Sequence, residues 1–100
     1  MILTTTNSIE GHPIQDYLGI VSGVSMSYQK GTLTLSMSKY FQAVEEQLDS
    51  LKEEAFQKLK TNAANLKANA VVGINTDVEV DSSGGSITVS VVGTAVLCKN

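Results

Sequence analysis

Several things are scarce in this chain, and each shortage removes a class of function. There is one cysteine in 100 residues, so no internal disulfide framework can form, and there is no CxxC pair. There is one histidine, His12, so clusters of imidazole and thiolate with zinc-site spacing are absent. Tryptophan is missing and only five residues are aromatic, which leaves little for sandwiching a flavin. Positive charge is low: seven Lys+Arg against ten Asp+Glu give a net charge of −3, a poor match for a nucleic-acid backbone. Lys52, Lys58, Lys60 and Lys67 share their helix with acidic residues and read as a solvated face. No apolar run approaches the roughly twenty residues of a membrane span. The first residues, Met1 to Thr6, carry neither a basic region nor a long apolar one, so no secretory signal is expected and the cytoplasm is the expected location.

What is present is aliphatic. Hydrophobic residues make up 42% of the chain and charged residues 17%, with Val, Leu, Ile and Ala supplying most of the apolar mass. One hundred residues make one small domain, spanning 1–100, which buries only about two thirds of its unfolded surface. That is much apolar side chain for one helix over one sheet. It points to a sheet buried on both faces, the second by another copy of the chain.

A helical stripe runs through Phe41, Val44, Leu48, Leu51, Ala55, Leu59, Ala63, Leu66 and Ala70. Its steps average about 3.6 residues, the period of an amphipathic helix. The helix is expected from about Lys39 to Lys67, with Ser36 or Ser38 as its cap. Acidic residues weight its first half and lysines its second, in the sense that favours the helix dipole. Asn69 is placed to take the left-handed conformation at its exit.

Strands flank the helix. Residues 2–6 read as an edge strand, followed by a turn at Gly11-His12-Pro13. Residues 14–26 read as a strand with Leu18, Ile20, Val24 and Met26 on one face and Tyr17, Gly19, Val21 and Gly23 on the other. Thr32 to Leu35 fits either a short strand or a loop. After the helix, Val72, Ile74, Thr76, Val78 and Val80 share one face, and Val71, Gly73, Asn75, Asp77 and Glu79 the other. Asp81 to Gly85 forms a hairpin loop, and a last strand runs from Ser86 to Cys98. The reading is an α+β fold, β-α-β-β, with an antiparallel sheet packed on one long helix.

Chemistry is sparse. Asp77 and Glu79 project from one strand face and Asp81 continues the parity; they are the candidate metal ligands, and oxygen donors suit hard cations such as calcium, magnesium or manganese. The plain alternative is a solvated strand rim. His12 reads as a solvent-facing turn residue and Cys98 as a small buried hydrophobe. Tyr17, Tyr28, Tyr40 and Phe41 read as core or subunit packing, or as the lining of a cleft between subunits. No nucleophile elbow, P-loop or dinucleotide fingerprint occurs, and only His12 can serve as an imidazole base, so no enzyme is expected.

Two blocks of sequence carry a family resemblance. Thr5-Thr6, Ile9-Glu10-Gly11, Ile14, Asp16-Tyr17, Gly19-Ile20-Val21 and Gly23 form the first. Ala70-Val71-Val72-Gly73-Ile74, Asp77, Glu79, Val89-Ser90 and Gly93-Thr94-Ala95-Val96 form the second, with Glu45, Leu48, Ala55 and Leu59 between them. The chain resembles the YbjQ-like proteins, small bacterial proteins of unknown function often labelled heavy-metal-binding. The resemblance implies a dodecin-like subunit assembled as a homo-pentameric ring. The resemblance also brings the metal-binding label. Composition and the missing motifs lead to the expectation of no cofactor and no nucleic-acid or membrane partner, with a small ligand or metal as the candidate bound species. The chain departs from the family at Val24, where an acidic residue is usual, and at Lys67, where a glycine is usual. It departs again at Asn69 for aspartate and Val44 for tyrosine, and it lacks the glycine- and arginine-containing stretch expected between Met26 and Ser38.

Overall fold

The structure is a computed structural model that describes residues 1–28, 37–81 and 85–100, with the side chains of 28 and 37–43 left aside. Five elements follow one another: β1 (Ile2–Leu3), β2 (Ile14–Tyr28), α1 (Met37–Asn65), β3 (Ala70–Asp81) and β4 (Ser86–Cys98). They form one four-stranded sheet in the order β1-β3-β4-β2. The sheet is mixed and not wholly antiparallel. β1 shrinks to two residues and runs parallel to β3, pairing Ile2 with Ala70 and Leu3 with Val71, while β2, β4 and β3 are antiparallel neighbours.

The helical stripe buries its centre. Leu51, Ala55, Leu59 and Ala63 are buried, and Leu59, Ala55 and Ala63 are fully so. They meet Val21 of β2, Ile87, Val89, Val91 and Ala95 of β4, and Val71 and Ile74 of β3. Val44, Leu48 and Phe56 pack at the margin of this core. The two last residues of the expected stripe leave it. Leu66 lies beyond the helix and is 41% exposed, and Ala70 begins β3 and packs on the opposite face of the sheet. Phe41 lies outside the described side chains.

The helix ends two residues earlier than expected, in a defined stop. Ala68 N–H donates to the Ala63 carbonyl (3.1 Å) and Lys67 N–H to the Ala64 carbonyl (2.9 Å). This pair of bonds closes a left-handed C-terminal motif. Lys67, at φ 67°, takes the left-handed position, and not Asn69. Asn69 works instead through its side chain: Nδ2 donates to the Cys98 carbonyl (2.9 Å), and Cys98 N–H donates to Oδ1 (2.8 Å). Charge complementarity with the helix dipole is weak, because the first turn holds no acidic residue and the last turn no basic one. Ser38 lies inside the helix and is not its cap; Ser36, Thr32–Leu35 and Ser82–Gly84 lie outside the described residues.

Helix and sheet approach closely at Gly23. A Cβ there would collide with the Ala55 carbonyl oxygen and lie 2.8 Å from the Leu59 nitrogen, so the helix backbone rests directly on β2. An irregularity in the β2–β4 register between Tyr17 and Gly19 shifts the face pattern of β2. Leu18 therefore joins the helix-side core, whereas Ile20, Val24 and Met26 point to the other face. Tyr17 is 72% exposed and takes no part in the core of this chain.

The second face divides in two. At one end Ala70, Val72, Val96 and Cys98 form a small cluster packed by Ile9 and Ile14, so the N-terminal segment of the same chain covers it. Backbone bonds tie that segment down: Gly73 N–H donates to the Thr6 carbonyl (2.8 Å) and Ile74 N–H to the Thr4 carbonyl (3.1 Å). Among the described residues, the rest of the face is uncovered in the single chain.

Candidate functional site

The uncovered part of the sheet is the candidate site. Cross-strand pairing places Val24 beside Ser90 and Asp77, Ser22 beside Val92 and Asn75, and Met26 beside Thr88 and Glu79. Ile20 is 80% exposed, and Val24, Met26 and Val92 are also exposed, so large apolar groups stand in water next to an acidic strand. A shallow cavity of about 520 Å³ lies on this face, lined among others by Ile20, Asn75, Asp77, Ser90, Val92 and Thr94.

Asp77 belongs to this cavity and Glu79 does not line it; both are exposed. The two carboxylates share a face as their spacing predicts. Among the described residues, no group of three or more His, Cys, Asp or Glu side chains is placed to hold an ion. Asp81 is the last residue of β3, and its carbonyl accepts from Gly85 N–H (2.8 Å). Within one chain the donor set does not fit a soft metal ion, which takes clustered thiolates and imidazoles. Cys98 is buried in the small second cluster, as a structural hydrophobe would be. His12 is part-exposed at its turn, where its Nδ1 donates to the Lys99 carbonyl (3.3 Å).

A second feature has no precedent in the sequence reading. β2 is a border strand, and two side chains of α1 reach over its edge. Lys58 Nζ donates to the Val24 carbonyl (2.8 Å), and Asn62 Nδ2 to the Ser22 carbonyl (2.8 Å). Lys58 also meets Glu54 at 3.4 Å, one helical turn away. The Glu54 carboxyl is held below the usual carboxylate range by the neighbouring Ser25 hydroxyl and then by Lys58. Ser25 is 2% exposed and its Oγ falls short of hydrogen-bond geometry with any group, so the Lys58 contact is the firmer of the two. In the sequence Lys58 reads as one more solvated lysine. Only the four-residue spacing of Glu54, Lys58 and Asn62 hints that they share a flank.

Comparison with known proteins agrees with this architecture. The family model of the YbjQ-like proteins, described as "Putative heavy-metal-binding", matches residues 1–99. Two proteins from strains of Pseudomonas putida, each named UPF0145 protein, are 37% and 36% identical, over 99% of this chain and 100% of their own length. A UPF0145 protein of Pseudomonas entomophila is 35% identical over the same shares. A crystal structure from Pediococcus pentosaceus, described as a protein of unknown function in the DUF74 family, superposes with a TM-score of 0.72 at 26% identity, over 97% of this chain and 96% of that one. These names assign no reaction. No described helix is long and apolar enough to cross a membrane. Matched from end to end by the family model and by relatives of the same length, the chain belongs to the YbjQ-like family, whose function is unknown.

Proposed function

We propose that the chain works as a non-enzymatic homo-pentameric ring in the cytoplasm, binding a small ligand between subunits on the open face of the sheet. The observation that carries this reading is the open face itself. Ile20, Val24, Met26 and Val92 are exposed there beside the cavity that holds Asp77. Fully burying side chains of this size is worth about 1.5–3 kcal/mol each, so a second surface that covers them gains substantially. The count of five comes from the family resemblance. Interfaces between subunits are common sites for pockets, and this cavity mixes two apolar walls with hydroxyl, amide and carboxylate groups. Native mass spectrometry of protein purified without chelator tests the reading: a pentamer with added mass supports it, and a bare monomer rejects it.

A second reading rests on Asp77 and Glu79 lying on one face of β3. Copies brought together in an assembly can supply the oxygen ligands that one chain lacks, and a hard divalent cation is the species they suit. Asp77→Asn with Glu79→Gln abolishes tight metal binding on this reading. Unchanged stoichiometry in the double variant removes both residues from the site.

A further inference from the structure

The two borders of the sheet differ in a way that fits one to the other. β2 forms one border. β3 forms the opposite border beyond the two residues of β1. Ile74 N–H turns toward Thr4, so strand alternation turns the N–H and C=O groups of Thr76, Val78 and Val80 to that same outer border. On β2 the carbonyls of Ser22 and Val24 turn outward, where they accept from Asn62 and Lys58.

The helix is off-centre between these borders. It lies mainly over β2, less over β4, and scarcely touches β3. Val78 and Val80 pair with Val89 and Ile87, and so belong to the helix-side face, yet they are 38% and 48% exposed. Among the described residues, neither valine belongs to the core that the helix forms with the sheet. At the other border the helix overhangs instead. Two clefts, of about 480 and 360 Å³, open along β2 beneath its flank. Glu54, Lys58 and Asn62 line the first, and Gln47, Ser50 and Ser27 the second. Among the described residues, one border carries exposed valines and the other a helix flanked by two clefts.

We infer that β3 of one copy adds to the β2 border of the next, placing its Val78 and Val80 beneath the neighbour's α1. The sheet then continues across the joint, helix side to helix side. Charge does not choose the contact. Asp77 and Glu79 project from the sheet face opposite the helix, and at the β2 border Lys58 is already paired with Glu54 while Glu46 lines the second cleft, so the fit rests on backbone groups and on the two valines. Lys58 and Asn62 act as stand-ins, satisfying in the free chain the carbonyls that an incoming strand would otherwise bond. Two unlike borders make a head-to-tail contact, which closes into a ring when the rotation allows. The inference rests on the ring reading and adds to it the surfaces that meet.

Paired variants test it, with size read by native mass spectrometry and fold by circular dichroism. Val78→Pro removes one outward N–H from the β3 border, and Ser22→Pro one from the β2 border; neither N–H faces β4. Each variant alone is expected to be a monomer, and an equal mixture to form a dimer, because each keeps the border the other has lost. If a proline variant fails to fold, Val78→Lys and Ser50→Arg replace the pair, the first charging the inserted side chain and the second filling a cleft. Either variant retaining the wild-type assembly overturns the inference and leaves the ring standing on another contact. Monomeric variants whose mixture stays monomeric also overturn it. A monomeric wild-type protein removes the ring itself.

Discussion

Lys58 Nζ and the Val24 carbonyl oxygen stand 2.8 Å apart, joining the middle of α1 to the outer edge of β2. A charged donor to a backbone acceptor is among the stronger hydrogen bonds, although this one is exposed. Lys58→Met keeps the aliphatic stem and removes the donor. It is expected to lower the stability of the dilute chain by about 0.5–1.5 kcal/mol, read as a shifted midpoint in urea with an unchanged slope. No shift would mean that water serves the carbonyl equally well.

The exit of the helix offers a gain in place of a loss. Lys67 holds a left-handed backbone at φ 67°, a position that side-chain-bearing residues occupy at a cost and glycine occupies freely. Lys67→Gly is expected to raise stability by about 1 kcal/mol, visible as a higher melting temperature. A lowered melting temperature would show that the lysine makes a compensating contact.

Gly23 is the opposite case. There the difficulty is space, since the helix backbone fills the volume a Cβ would need. Gly23→Ala forces α1 off β2 and is expected to cost about 2–3 kcal/mol, near the upper range for overpacking. Thermal unfolding within a degree or two of wild type would show that the helix shifts without penalty.

Much of this was legible in the sequence. The four-residue rhythm of Leu51, Ala55, Leu59 and Ala63 specifies the buried face of α1, and alternation specifies β4 from Ser86 to Cys98. Other features depend on long-range geometry that periodicity does not encode. The register irregularity near Gly19 reverses the parity of Leu18 relative to Ile20; a glycine within a strand is the local sign of such a bend, but it does not say which residue changes face. The parallel pairing of β1 depends on where the chain returns after 67 residues, as Leu3 meets Val71. Asp77 and Glu79 are correctly placed on one face by spacing alone. That only Asp77 lines the cavity depends on the row of cross-strand neighbours, Ser90 and Val24, beside it.

The open face supplies a direct test of assembly. Val92 is exposed at the centre of β4, paired with Ser22 and Asn75 on the face opposite the helix-side core. Val92→Asp should leave the single chain folded and shift the protein to smaller species or aggregate. A folded, stable assembly of wild-type size would take Val92 out of the contact.

The central claim is that this chain functions as a ring of identical copies. Native mass spectrometry of the untreated wild-type protein, compared with its denatured mass, tests it most directly. The account predicts a species of five times the 10.6 kDa chain. A mass equal to one chain, at concentrations where the protein is folded, would contradict it.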